Sequence, residues 1–304
     1  MTSVAAPPIA VIINPISGTG GHIDIGRARA AFAADLIASR GGDPSLVFLT
    51  ERAGHARELA TAAIARGVST VVAWGGDGTM NEVASALAFT GTALAMVPSG
   101  SGNGLARELR IPFDPAAALR LAFSGREIVI DAGDIGGRLF FNIAGIGLDA
   151  RVAHRFGIEG LERRGFYRYM ELTIGELRGY APDRLTVTTP LSSITKAVLL
   201  VAIANGRQYG NGAIIAPDAR LDDGRLDVVI VGHRSALRAC LELPLIFMGC
   251  AGNVGGVTME AAESVEITSP HPFLYHLDGE PIAGTLSIRA QARPRAVRIK
   301  APAR

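Results

Sequence analysis

Thr70-Val71-Val72-Ala73-Trp74-Gly75-Gly76-Asp77-Gly78-Thr79-Met80-Asn81-Glu82-Val83 is the stretch that decides the fold. Thr70 to Trp74 is a short β-prone apolar run; Gly75 to Gly78 break it, and Met80 to Ala88 follow with helical spacing. A strand that stops at a glycine turn and continues into a helix is one unit of a parallel, helix-covered sheet. The same punctuation recurs on both sides. Ile9–Ile13 ends at Asn14-Pro15, with a glycine-rich turn at Ser17–Gly21 and a helix expected over Ile25–Ser39. Leu46–Thr50 precedes a helix over Gly54–Arg66, and Ala93–Val97 stops at Pro98-Ser99-Gly100-Ser101-Gly102-Asn103 before a helix over Asn103–Leu109. Apolar runs of about five residues between helices of about ten predict an α/β nucleotide-binding domain with both sheet faces covered.

From about Glu127 the texture changes. Strands are expected at Glu127–Ile135, Arg138–Ile146, Leu185–Thr189, Ala197–Ala204, Leu226–Val231, Ser264–Thr268 and Leu286–Arg289. Helical spacing appears at Phe166–Leu177, whose Phe166, Tyr167, Tyr169, Met170 and Leu172 read as core, and at Ala236–Phe247. Gly145 to Ala150 match GxGxxA, but the helical pattern that follows is weak and no dinucleotide site is argued from it. Strand runs after an αβ repeat imply a second, mainly antiparallel domain, with the boundary near Ser124-Gly125.

Thirty basic and 28 acidic residues give a formal charge of +2, so no strong field recruits nucleic acid or an anionic surface from a distance. Cys240 and Cys250 read as core thiols, and the scattered histidines predict no zinc site. Met1 to Pro8 lack a signal-peptide pattern, and Leu237 to Val257 is too interrupted to span a bilayer. Lysine is confined to Lys196 and Lys300, neither of them near a glycine loop. That excludes the GxxxxGK[ST] phosphate loop, and the kinase HRD and DFG sets are missing too.

Three loops remain to handle phosphate: Asn14 to Gly18, Gly75 to Thr79, and Pro98 to Asn103. In a parallel sheet they share one edge, where glycine amides approach phosphate oxygens and each helix N-terminus adds positive potential. Asp77 adds a carboxylate able to hold Mg²⁺ or accept a proton. Taken singly, each loop is equally an ordinary βα turn with Asp77, Ser101 and Asn103 as turn or cap residues.

In order along the chain, Asn14-Pro15-x-Ser17-Gly18, Gly75-Gly76-Asp77-Gly78-Thr79-Met80-Asn81-Glu82-Val83 and Pro98-x-Gly100-Ser101-Gly102-Asn103-x-x-Ala106-Arg107 are followed by Asn142-x-Ala144-x-x-Gly147-x-Asp149-Ala150. Then come Asn205-Gly206, Pro217-Asp218-Ala219, Asp223-Gly224-x-Leu226-Asp227 and Asp278-Gly279-Glu280. This set resembles the diacylglycerol kinase catalytic-domain family, which includes bacterial diacylglycerol kinases and the sphingosine and ceramide kinases. The resemblance covers nearly the whole chain. It implies an NAD-kinase-like αβ domain at 1–125 completed by a returning segment at 287–304, and a β-sandwich lipid domain at 126–286.

The resemblance further implies that Asn14, Ser17, Gly18, Thr50, Gly75, Gly76, Asp77, Gly78, Thr79 and Ser101 surround ATP, with Glu82 supporting the loop from its helix. Glu280 would be the general base, with Asp278 beside it and Asp77 bridging metal. Asp223 with the carbonyls of Arg220 and Arg225 matches a structural Mg²⁺ site. Asn142 and Asp149 fall on the substrate side, Asp149 where sphingosine kinases hold the lipid head group. Arg107 contacts phosphate or caps its helix. From the residues alone, Asp278-Gly279 and Asp222-Asp223-Gly224 are ordinary hairpin turns, and Asn142 and Asp149 satisfied polar groups.

The implied reaction is transfer of the ATP γ-phosphoryl group to a lipid hydroxyl, first of all diacylglycerol, by a cytoplasmic enzyme in transient peripheral contact with a membrane, with a homodimer as the candidate self-assembly. The Gly100-Ser101-Gly102-Asn103 loop lies closer to the sphingosine kinase pattern, so a sphingoid-base or ceramide kinase is the alternative. An NAD kinase shares the GGDGT motif but has a different later loop. A non-catalytic lipid-responsive regulator would not need Asp77, Glu82 and Glu280 together.

Overall fold

The computed structural model describes residues 8–18, 23–159, 166–177, 179–182 and 184–303. The start of the chain at 1–7, Gly20–Gly21 of the expected turn, and the side chains of Phe166, Tyr167, Tyr169 and Met170 lie outside the described residues. Two compact units emerge: Met1–Ile130 with Arg295–Arg304, and Asp131–Pro294. The chain changes unit inside two long strands rather than at the expected 125/126 and 286/287 positions.

The first unit contains β1 (Ile9–Ile13), α1 (Ile23–Ser39), β2 (Val47–Leu49), α2 (His55–Ala65), β3 (Thr70–Gly75), α3 (Asp77–Leu87), β4 (Ala93–Pro98), α4 (Gly104–Glu108) and α5 (Pro115–Ser124). The strands run parallel in the order β2-β1-β3-β4, and the C-terminal segment adds a fifth, with Arg298 beside Ala93 and Ile299 beside Leu94. Every residue of β1, β3 and β4 is buried, the pattern of strands covered on both faces. From β1 the chain turns to β2 on one side, and from β3 to β4 on the other, so the topological switch point lies between β1 and β3.

Two local readings change. Pro44–Leu46 is a 3-10 turn, so β2 starts at Val47. The helix after the third loop is only α4, and a separate α5 follows it. Its start is legible in hindsight: Pro115 occupies the first turn, and Asp114 Oδ2 accepts from the Ala117 N–H at 2.7 Å.

The second unit contains the end of β5 (Arg126–Ile135), then β6 (Arg138–Phe140), β7 (Ile143–Gly147), α6 (Leu148–Glu159), α7 (Phe166–Leu177), β8 (Arg184–Thr188), β9 (Ser193–Ala204), β10 (Leu226–Gly232), α8 (Ala236–Phe247), β11 (Val257–Ala262), β12 (Ser264–Leu277) and most of β13 (Glu280–Ala301). Its strand pairs are antiparallel. Strands β9 and β12 each pair with β8 at one end and β7 at the other, which curls the sheet around Phe140, Ile146, Val201, Val228 and Ile267. Alternation along β10 places Leu226, Val228 and Ile230 in that core. Val229 and Val231 enter a second core beneath α6, α7 and α8.

The helix after Gly147, weak in the sequence, is a full α6 of 12 residues. The single strand expected over Arg138–Ile146 is two, and β12 runs on past Pro270 and Pro272 through a register shift to Leu277. Cys240 and Cys250 are exposed free thiols, not core residues; Cys240 lies off the inward stripe of α8 formed by Ala239, Leu243 and Ile246, and Cys250 precedes the short turn Ala251–Asn253.

Gly133 pairs with Phe140 across β5 and β6, and a Cβ at Gly133 would lie 2.0 Å from the Phe140 Cζ. Phe140 is fully buried and has nowhere to retreat. Gly133→Ala is therefore expected to destabilise the protein by about 1–3 kcal/mol. Urea unfolding measures this, and adding Phe140→Leu should recover part of the loss.

Candidate functional site

The glycine loops of the first unit interlock at the switch point. Asn14, just past β1, donates from Nδ2 to Thr79 Oγ1 at 3.1 Å, and Ser17 Oγ lies 2.7 Å from Ser99 Oγ. Gly18 has φ +90°, and a Cβ there would stand 2.7 Å from the Ser99 carbonyl oxygen. A Cβ on Gly100 would meet the Gly76 Cα at 2.5 Å, so the second and third loops touch backbone to backbone. Asp77 completes the lock: Oδ2 accepts from the Asn103 N–H and Oδ1 from the Gly104 N–H, both at 2.8 Å. It sits in the first turn of α3 and takes the amides of the α4 N-cap Asn103 and of Gly104, the first residue of that helix, where a carboxylate is favoured on both counts.

The supporting residues brace this arrangement. Both Glu82 oxygens accept amides from the start of α2, Gly54 N at 2.9 Å and Ala56 N at 3.0 Å, replacing a side-chain cap that Gly54 cannot supply. Thr50 donates its N–H to the Ile13 carbonyl at 2.9 Å, placing it at the end of β2 beside the first loop. Ser101 is half-buried in the third loop, and Gly78 has open space where a Cβ would stand. Arg107 turns back on its own loop, with Nε donating to the Gly102 carbonyl at 3.0 Å and the guanidinium 4.5 Å from the Phe113 ring centre. Arg29, which no sequence motif marked, donates to Ser17 Oγ at 3.0 Å and to the Ser17 carbonyl at 3.2 Å; burial lowers its pKa. A cavity of about 260 Å³ lined by Phe89, Thr90, Val129, Arg295, Ala296 and Arg298 lies at the other end of this sheet, where β4 begins.

In the second unit, Asp278 and Gly279 have φ +49° and +87° and link β12 to β13 as a two-residue hairpin. Asp278 also has a long-range task. Oδ2 accepts from Phe141 N at 2.9 Å, and Oδ1 from Asn142 N at 2.9 Å and Ile143 N at 3.0 Å. Those amides are withdrawn from a ladder, which is why β6 and β7 are separate strands. Glu280 follows on the exposed side of the turn, 3.7 Å from Arg138. Asn142 donates from Nδ2 to the Gln208 carbonyl at 2.7 Å.

Asp149 points inward. Oδ1 accepts from the Ala150 N–H at 2.9 Å, while Oδ2 accepts from the Tyr209 hydroxyl at 2.7 Å and lies 3.3 Å from His276 Nε2. His276 Nδ1 accepts from the Gly279 N–H at 3.2 Å, so the bonding assigns the ring proton to Nε2, directed at Asp149. Room for this buried pair exists because residue 145 is glycine: a Cβ there would sit 2.0 Å from Asp149 Oδ2 and 2.4 Å from His276 Nε2. Sequence reasoning missed His276 and Tyr209. The available signal was strand alternation in Tyr275-His276-Leu277-Asp278, which puts positions 276 and 278 on one face.

Comparison with known proteins agrees across the chain. Residues 8–135 match the family described as diacylglycerol kinase catalytic domain, and residues 142–301 match the YegS C-terminal NAD kinase beta sandwich-like domain. A "Probable lipid kinase YegS-like" protein of Pseudomonas aeruginosa is 34% identical over 302 residues, covering 90% of this chain and 89% of its own. The chain belongs to the YegS-like lipid kinase family. A diacylglycerol kinase structure from Bacillus anthracis str. Sterne superposes with TM-score 0.70 at 19% identity, covering 97% of each chain. An NAD kinase from Archaeoglobus fulgidus in complex with ATP superposes with TM-score 0.50 at 11% identity, covering 96% of this chain and 93% of its own. Both likenesses concern the fold.

The Mg²⁺ site expected of this lipid kinase centres on Asp223. The donors there are all oxygen, as a hard cation requires. Asp223 Oδ1 accepts from the Arg225 N–H at 3.1 Å, so the turn at this point is formed. Asp218 and Asp223 place their negative charge on Asp227, but burial is the main reason that Asp227 is pushed up to about 6. Among the described residues no group of three or more acidic, His or Cys side chains forms a metal cage. Asp223 is thus a turn carboxylate with the acidic neighbour Asp227 close by.

His276→Ala would remove Asp149's buried imidazole partner and the acceptor of the Gly279 N–H. A loss of about 1–3 kcal/mol is expected from the stranded polar groups, and His276→Asn should restore part of it in chemical denaturation. Asp227 binds its proton more tightly folded than unfolded, so stability is highest below about pH 4 for this group and falls as pH rises towards 6. With chelator present, Asp227→Asn is expected to raise stability at pH 7 by about 1 kcal/mol, discounted for partial exposure, and to flatten that part of the pH profile.

Proposed function

We propose that this lipid kinase transfers the γ-phosphoryl group of ATP to a neutral lipid hydroxyl, with diacylglycerol as acceptor and phosphatidic acid as product. The observation that carries the reading is the backbone-to-backbone lock of Gly76 and Gly100 closed by Asp77 at the β1/β3 switch point. Without a lysine in any of the three loops, the phosphates fall to backbone amides and to the α3 N-terminus. Asn14, Ser17, Gly18, Thr50, Gly75, Gly76, Gly78, Thr79 and Ser101 line the nucleotide, while Glu82 and Arg107 hold the loops in shape.

Glu280 is the proposed general base. It is exposed at the start of β13, whereas Asp278 has given its carboxylate to three backbone amides and positions the turn. Asp77, in the first turn of α3 between the second and third loops, is the proposed metal-bridging carboxylate. Mg²⁺ there would neutralise charge on the transferring phosphoryl group, and a second ion at Asp223 with the Arg220 and Arg225 carbonyls would stiffen the turn before β10. The chain's own contribution is to orient the phosphates with fixed amides and to take the hydroxyl proton at Glu280 Oε.

The neutral acceptor is favoured by Asp149. A sphingoid base carries an ammonium group that calls for a free carboxylate, and Asp149 is buried and already bonded to Ala150, Tyr209 and His276. Its role is proposed to be indirect, with Asn142, in setting the shape of the acceptor side.

Labelled ATP and Mg²⁺ with diacylglycerol, a sphingoid base, ceramide, phosphatidylglycerol and NAD supplied separately test the assignment. Diacylglycerol should take most label, and Glu280→Gln should lower kcat by at least about 100-fold with nucleotide binding retained. Trp74, the single tryptophan, ends β3 beside the second loop, so its fluorescence reads that binding directly. Labelling of NAD alone would overturn the lipid reading, and preference for the sphingoid base would overturn the neutral-acceptor assignment.

A further inference from the structure

Gly26 brings helix α1 onto the first glycine loop. A Cβ at that position would stand 2.4 Å from the Pro15 Cβ, so the helix approaches the loop closer than a side chain would allow. Gly26, Ala33 and Ile37 are buried on the inward stripe of α1, and Arg29 falls on the same side, where helical spacing otherwise calls for an apolar residue. Its guanidinium is held from two sides. Nη1 donates to the Asn14 carbonyl at 3.3 Å and to Ser17 Oγ at 3.0 Å, and Nη2 to the Ser17 carbonyl at 3.2 Å. The guanidinium carbon lies 5.9 Å from the centre of the Trp74 ring, which Phe32 meets edge-on at 6.2 Å. A Cβ on Gly18 would be 3.7 Å from Nη2, so the cation stands directly beside that glycine.

All of these partners are neutral. Among the described residues no carboxylate forms an ion pair with Arg29, whereas Arg27, on the exposed side of the same helix, reaches Asp24 at 3.8 Å. The bonds to the loop occupy at most three of the five guanidinium hydrogens, and at least Nε–H and one hydrogen of Nη2 keep no protein acceptor among the described residues. Burial lowers the pKa, the cost of holding a charge among neutral groups. Fixing the loop does not account for that charge. Ser17 Oγ already donates to the Asn14 carbonyl at 2.8 Å and lies 2.7 Å from Ser99 Oγ, and a neutral donor would serve the remaining acceptors as well. A planar cation with donors to spare, fixed at a glycine loop, matches phosphate oxygens.

On the ATP reading of these loops, on which this rests, we propose that Arg29 is a phosphate-binding residue of the nucleotide site, supplying from α1 the full positive charge that no lysine provides there. The loop amides and the α3 N-terminus carry only partial charges. Arg29 adds a whole one, on a side chain already held at Ser17 and Gly18 before the nucleotide arrives.

Calorimetric titration of the full chain with ATP and Mg²⁺ at several potassium chloride concentrations tests it, with thermal melting to show that each variant is folded. Arg29→Gln should weaken ATP binding about tenfold or more, and the remaining affinity should fall less steeply with salt than that of wild type. Arg29→Lys, which returns the charge without the fork, should recover part of both the affinity and the salt dependence. Arg27→Gln removes a charge from the exposed side of the same helix and should bind ATP as wild type does. If Arg29→Gln does not fold, Arg29→Lys decides alone: its ATP affinity must fall below wild type while its salt dependence remains. Unchanged ATP affinity in a folded Arg29→Gln would overturn the assignment. So would a loss that lysine does not recover and that leaves the salt dependence at the wild-type value, the mark of a loop clamp. A wild type that binds ATP through Arg29 yet phosphorylates no lipid would uphold Arg29 and overturn the proposed reaction, whereas a wild type without affinity for ATP would overturn both.

Discussion

Asp77 closes its oxygens on the amides of the α4 N-cap Asn103 and of Gly104 and thereby makes two glycine loops into one surface. The surrounding choices serve this contact. Gly76 and Gly100 have no side chains to hold the loops apart, Asn14 reaches across to Thr79, and Ser17 meets Ser99. Glu82, one turn further along α3, secures the start of α2 by the same means, a carboxylate on helix-terminal amides. In both places an acidic side chain tied to backbone amides fixes the start of a helix.

The second unit repeats the device. Asp278 takes the amides of three consecutive residues and interrupts a strand to do so, and Asp149 receives Ala150, Tyr209 and His276. Four carboxylates singled out by motif thus spend bonding capacity on the fold. Glu280, by contrast, is exposed, with Arg138 at 3.7 Å. A motif identifies an acid; its hydrogen-bond partners decide whether it is structural or reactive.

Helix α8 leaves Leu237, Leu241 and Leu245, with Met248 just past its end, exposed opposite its inward stripe. The helical spacing was visible at Ala236–Phe247, yet which of two apolar stripes faced the core was not. Both sides of the helix are greasy, so periodicity alone could not choose.

The amino-acid sequence by itself determined the parallel αβ unit, because five-residue apolar runs stopped by glycine turns are local signals, and it determined the family through an ordered set of motifs. The Asp278-Gly279 turn was legible for the same local reason. Tertiary structure alone decided the partners of Asp77, Asp149 and Asp278, the buried His276–Asp149 pair made possible by Gly145, and the outward position of Cys240. Apart from the bond between the neighbours Asp149 and Ala150, the side-chain pairings of Asp77, Asp149 and Asp278 join residues 26 to 137 positions apart, and they depend on strand register and helix facing, which no short window of sequence contains.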